Sequence, residues 1–246
     1  RTWKNNQVRA AIISDIHGNL TAFEAVAADL RRVSPDLILH GGDLAGPGSR
    51  PVEVVDRIRG LGWQGVRGNA DEMLPRPRTL AEFAGRAPQL QAMFAAIEEM
   101  AAAMRAELGS DRLAWLDALP MVDTREGLAV VHASAGSTWR SPAPEATDEE
   151  LARVYGELGR PLVVYGHVHR PFVRRIGELT VANSGAAGQS YDGDPRASYL
   201  LADDGRPEIR RVEYDVEAEI RALLQCRMPH AEWVARSLRA SGPVAL

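Results

Sequence analysis

Ile12-Ile13-Ser14-Asp15-Ile16-His17-Gly18-Asn19 decides how the chain is read: an apolar run stops at a carboxylate and an imidazole two positions apart. The run predicts a buried strand over residues 8–14. Residues i and i+2 of a strand point to one face, so Asp15 and His17 are expected to converge where the strand ends. Gly18 permits a tight exit, and Asn19 is placed to cap a helix over 19–32, where Leu20, Phe23, Ala27 and Leu30 recur at helical spacing. Open α/β sheets bind ligands at the carboxyl ends of their strands. Asp15 and His17 therefore read as half of a metal site, with a solvated or hydrogen-bonded loop pair as the plain alternative.

Outward from that stretch the pattern repeats. A short apolar strand over 36–40 ends in Gly41-Gly42-Asp43, and a helix over 51–61 begins at Pro51. A strand over 64–67 leads into Gly68-Asn69-Ala70-Asp71. Segments 121–124 and 128–131 flank Arg125-Glu126-Gly127 as a hairpin whose second strand ends at His132. A helix capped near Thr147-Asp148 runs to 157, and the apolar strand over 162–165 ends in Gly166-His167-Val168-His169. A hairpin over 172–176 and 179–183, a Gly-rich loop over 184–194, strands over 198–202 and 209–214, and helix over 215–238 interrupted at Pro229 complete the chain.

Between these blocks, residues 73–119 break the strand–helix rhythm. Residues 73–86 read as loop, 90–108 as an Ala- and Glu-rich helix, and 111–119 as a shorter one. The stretch is expected to be a helical insertion beside the strand ends, serving as a lid or as packing. Met93, Met100, Met104 and Trp115 are read as core or cap packing rather than a cofactor site.

Composition bounds the answer. Of 246 residues, 45% are hydrophobic and 25% charged, ordinary for one globular domain with an inserted cap. A formal net charge of −4 gives no overall field drawing the protein to nucleic acid or anionic membrane. Cys226 is the sole cysteine, so an intrachain disulfide is excluded; with no signal-peptide pattern and no apolar run long enough to span a bilayer, a cytoplasmic setting is expected.

Asp15, His17, Asp43, Asn69, His132, His167 and His169 thus stand at five strand ends, with Gly directly before Asp43, Asn69 and His167. In this order, across residues 8–214, the blocks Asp-x-His, Gly-Asp, Gly-Asn, lone His and Gly-His-x-His resemble the calcineurin-like metallophosphoesterase family. The loop over 185–196 looks like that of small prokaryotic members described as diadenosine-tetraphosphatase-like enzymes or phosphodiesterases. The resemblance implies a four-layer α/β/β/α sandwich of two mixed sheets, and the chain is read as one domain over 1–246 with the cap over 73–119 and a helical segment over 215–239. It implies that Asp15, His17, Asp43 and His169 hold one ion and Asp43, Asn69, His132 and His167 a second, Asp43 bridging.

Imidazole, carboxylate and amide oxygens suit two divalent transition ions, Mn first, with Fe, Ni, Co or Zn as alternatives. The reaction implied is in-line attack of a metal-bridging hydroxide on phosphorus. Asp43, Asn69 and His132 are its expected catalytic residues, with Asp71 orienting part of the site through a hydrogen bond. The expected substrate is a small, nucleotide-like phosphate ester; no oligomeric state is specified. Family members acting on monoesters often carry His where this chain has Ala70, which offers no proton to a leaving group, so diesters or anhydrides are favoured. Asn69, Arg67, Arg140, Tyr191 and Arg196 are the candidate substrate contacts. His40 is read as packed or hydrogen-bonded behind the site, and His230 as a surface residue. A protein-binding scaffold on the same fold and a nuclease are the rival functions.

Overall fold

The computed structural model describes residues 8–85 and 87–246; residues 1–7 and 86 of the expected domain and loop lie outside it. The opening alternation of Ala10, Ala11, Ile12 and Ile13 becomes strand β1 (Ala10–Ile13), buried on both faces. Its exit runs into α1 (Leu20–Val33), whose N-cap Asn19 accepts a hydrogen bond from the Ala22 N–H at 2.9 Å. The next elements are β2 (Leu37–His40), α2 (Pro51–Leu61) and β3 (Gln64–Gly65). β3 is shorter than expected because the Arg67 N–H leaves the ladder for the Pro120 carbonyl.

Residues expected as loop over 73–86 are largely helical: α3 (Asn69–Met73) is followed by α4 (Arg78–Ala84). Leu80, buried in the main helical core, gives α4 the packing its weak sequence signal did not announce. The two expected helices that follow run together as α5 (Gln91–Asp117), kinked at Gly109, where φ is 70° and ψ 169°. Then come β4 (Val122–Arg125), β5 (Leu128–Val131), α6 (Asp148–Tyr155), β6 (Leu162–Tyr165), β7 (Phe172–Ile176), β8 (Leu179–Asn183), β9 (Ala197–Asp203), β10 (Arg206–Val212), α7 (Val216–Gln225) and α8 (Ala231–Ala240).

The strands form two mixed sheets, β10-β9-β1-β2-β3 and β4-β5-β6-β8-β7. Within them β1, β2 and β3 are parallel, as are β5, β6 and β8; the flanking strands pair antiparallel. Period-two alternation divides the apolar side chains between layers. Ala10 and Ile12 face Val130, Val164 and Ala182 between the sheets. Ala11 and Ile13 pack against Phe23, Val26, Val54 and Ile58 of the outer helices. Ala129, Val131 and Val163 meet Leu151 and Tyr155 of α6. The result is the expected four-layer α/β/β/α sandwich, and both parallel sets deliver their carboxyl ends to one edge. No helix among the described residues is long and apolar enough to cross a membrane.

Candidate metal centre

The expected donors meet at that edge, but not by strand alternation. β1 ends at Ile13 and β6 at Tyr165, so Asp15, His17, His167 and His169 lie in turns beyond the strands. Asp15, His17, Asp43, His167 and His169 all adopt left-handed backbone, with φ between 51° and 67°. Such a conformation costs on the order of 1 kcal/mol or more for each residue with a Cβ, and it persists where surrounding contacts fix it. Here those contacts are backbone hydrogen bonds between loops: Asp15 N–H to Gly42 O, His17 N–H to Asp43 O and Gly188 N–H to Asp15 O, at 2.9–3.0 Å.

The glycines before the donors have a steric reason. A Cβ at Gly68 would sit 2.0 Å from Asp43 Oδ1, and one at Gly166 would sit 2.4 Å from Asp15 Oδ2. The loops approach each other too closely for any side chain there.

Asp15 and Asp43 are buried carboxylates flanked by imidazoles. His169 Nε2 lies 3.2 Å and His17 Nε2 3.9 Å from Asp15 Oδ1. Asp43 turns Oδ2 to His17 Nε2 and Oδ1 to His132 Nε2, both at 3.6 Å. Asn69 Oδ1 stands 2.9 Å from both His132 Nε2 and His167 Nδ1. Asp15, His17 and His169 form one compact donor group, and Asp15, Asp43 and His132 another.

The donor set fits divalent metal. His169 Nδ1 faces the Gln189 carbonyl at 2.5 Å and His132 Nδ1 the Gly41 carbonyl at 2.8 Å, so each carries its proton outward. Their bare Nε2 lone pairs then point inward, His169 at His17 Nε2 3.1 Å away and His132 at the Asn69 amide. His17 Nδ1 is buried without a partner. Burial lowers His17 and His167 to about 3, keeping both in the neutral form that ligates. Burial, reinforced by the carboxylates of Asp15 and Asp71, pushes the Asp43 carboxyl well above its usual range. The Asp15 carboxylate accepts the Ser14 hydroxyl at 2.6 Å and the His167 N–H at 3.0 Å. Crowded carboxylates and converging lone pairs are what a cation reconciles.

Asp71 is buried and acts on the loops: Oδ1 accepts from Leu44 N–H at 3.0 Å and Ala45 N–H at 3.2 Å, and Oδ2 from Gly68 N–H at 3.0 Å. It ties the Asp43 turn to the start of α3. Ala70 donates its N–H to Asp43 Oδ1 at 2.7 Å, and the residue lines the cleft above the donors.

Of the other candidate contacts, Tyr191 lines that cleft, its ring stacked on His169 at 4.5 Å. The three arginines do not. Arg67 is buried, donating to the Asp117 carbonyl at 2.9 Å. Arg140 lines a separate depression beside Thr138, and Arg196 pairs with Asp194 at 2.7 Å. None of the three lines the cleft above the donors. His40 is fully buried, its ring 6.4 Å from that of Trp115 and neither nitrogen hydrogen-bonded. His230 is at the surface as expected, partly exposed and pairing with the exposed Glu99 at 2.9 Å, which ties the start of α8 to α5. Glu219, unremarked in the sequence, is fully buried and accepts from Thr21 Oγ1 at 2.7 Å and Ser49 N–H at 3.0 Å, bracing the loop beside His17. In an amphipathic helix such a Glu reads as solvent-facing, and only the fold reveals it.

Comparison with known proteins agrees with the geometry. Residues 8–204 match the calcineurin-like phosphoesterase superfamily domain. An uncharacterised protein of Methanocaldococcus jannaschii is 30% identical over 251 residues, spanning 93% of this chain and 96% of that one. The crystal structure of a metallophosphoesterase from Sphaerobacter thermophilus is similar with TM-score 0.77 at 28% identity, over 96% of this chain and 99% of that one. A hypothetical protein of Pyrococcus horikoshii shares the fold with TM-score 0.82 at 17% identity, over 97% and 100% of the two chains. The chain belongs to the calcineurin-like phosphoesterase superfamily.

Proposed function

We propose that the protein is a dinuclear metal-dependent phosphodiesterase. The observation that carries this is the convergence of seven donors from five separate loops, with imidazole lone pairs and carboxylate oxygens turned to a common centre. Asp15, His17, Asp43 and His169 would hold one ion, and Asp43, Asn69, His132 and His167 the other. Mn is the first choice for a mixed N/O set of this kind. When bound, the ions supply Lewis acidity for phosphoryl oxygens and a nucleophilic water near neutral pH.

The chain's own residues do the rest. Asp43 divides its two oxygens between the His17 and His132 sides of the centre. The Gly41 and Gln189 carbonyls fix the tautomers of His132 and His169. Asp71 holds the Asp43 and Asn69 turns in register. In the hydrolysis, water oxygen bonds to phosphorus, one ester P–O bond breaks, and the leaving oxygen departs with the electron pair. Ala70 lends that oxygen no proton, which favours diesters whose leaving group is already acidic.

Purified protein with added Mn should hydrolyse bis(p-nitrophenyl) phosphate, and chelation should stop it. Failure of any metal among Mn, Fe, Ni, Co and Zn to give turnover would remove the proposal and favour the scaffold.

A further inference from the structure

The cleft above the donors has a volume of about 350 Å³, at the small end of the range for ligand sites. One wall is Met93, Ile97, Met100 and Met104, whose spacing puts them on one face of α5. The facing wall includes Trp233 and Val234 of α8 and Val244. The Trp233 indole N–H is already donated to the Val244 carbonyl at 2.9 Å, so the ring brings no free donor to the space. Among the described residues lining it there is no Arg or Lys. Of the arginines that might have met further phosphates, Arg67 is committed to Asp117 and Arg196 to Asp194, and Arg140 lines the separate depression beside Thr138.

Two ions at the floor can neutralise one phosphate. A second or third phosphate in this space would lie against methionine and tryptophan with no cation, and a buried unpaired charge is costly. An apolar group gains there roughly 25 cal/mol for each Å² removed from water, and methionine side chains adapt to its shape. We propose that the substrate carries a single phosphate and one compact apolar group, aryl or short branched alkyl, seated against the Met93–Ile97–Met100 face and Trp233. The inference deepens the phosphodiesterase reading and rests on it.

The test compares two diesters with the same leaving group, phenyl p-nitrophenyl phosphate and methyl p-nitrophenyl phosphate, on the Mn-loaded protein. The phenyl diester should have a kcat/KM roughly tenfold higher or more, and diadenosine tetraphosphate should be the poorest of the three. Met93→Gln, and separately Ile97→Gln in case the first variant does not fold, should bring the phenyl-to-methyl ratio towards unity. Equal kcat/KM for the two diesters, or fastest turnover of the tetraphosphate, overturns the inference while leaving the phosphodiesterase standing. Absence of turnover on all three overturns the phosphodiesterase instead. Calorimetry then decides the apolar preference alone: phenylphosphonate should bind the Mn-loaded protein about tenfold tighter than methylphosphonate, and equal binding overturns it.

Discussion

At the floor of the cleft Asp15, His17, Asp43, His167 and His169 are held in left-handed backbone by contacts between loops. Along its wall Met93, Ile97, Met100 and Met104 project from the regular part of α5, before its kink at Gly109. The floor is polar, crowded with like charges and locally strained; the wall is apolar and gains stability simply by folding. Chemistry is thus concentrated where the backbone is least comfortable, and shape is supplied by a helix that can change side chains at little cost.

The largest expected effect strikes the floor. Asp43→Ala removes the oxygens shared between the His17 and His132 sides, and diester turnover should fall on the order of 10³-fold or more. A loss under tenfold in steady-state assays would put the chemistry elsewhere.

Behind the floor, His40 offers a stability measurement against pH. Burial lowers its imidazole to about 4, so the folded protein holds it neutral while the unfolded chain protonates near 6.5. Between these values the unfolded state binds the extra proton. Its contribution is therefore complete above pH 6.5 and is lost as pH falls, by roughly 3 kcal/mol on reaching pH 4. Denaturant melts of His40→Gln should lack that part of the acid slope shown by the wild type; an unchanged slope would mean His40 is protonated in the fold.

Asp71 sharpens the contrast from the side of positioning. Asp71→Ala strands the Leu44, Ala45 and Gly68 N–H groups and loosens two donor-bearing turns. Metal affinity should weaken about 10- to 100-fold, read by competition with a chelating dye, with kcat less affected at saturating Mn. The smallest effect is expected on the wall. Ile97→Ala, beside open cleft, should cost about 1 kcal/mol, against about 2–5 kcal/mol for Leu108→Ala in the closed core. Equal losses would mean the cleft is filled by packing.

The same contrast explains what could be read from the sequence. The seven floor donors were legible because Asp, Asn and His directly after apolar runs, with Gly at the close approaches of Gly68 and Gly166, are unusual for any other reason. Their mechanism of convergence was not: the strand period pointed to Asp15 and His17 sharing a sheet face, whereas the left-handed turns do the aiming. The wall was hidden because Met93, Met100 and Met104 at helical spacing look the same whether they face a core or a cavity. Arg67, Arg140 and Arg196 drew attention as phosphate contacts by residue type, yet local partners had claimed Arg67 and Arg196 and a separate depression Arg140. α4 escaped notice because Pro75 and Pro77 dominate its surroundings, and the burial of Leu80 that stabilises it is a long-range fact.

Metal stoichiometry tests the central claim most directly. Protein loaded with Mn and freed of excess should contain two ions per chain by elemental analysis, falling below one in Asp43→Ala. A single tightly held ion in the wild type, unchanged by that substitution, would contradict it.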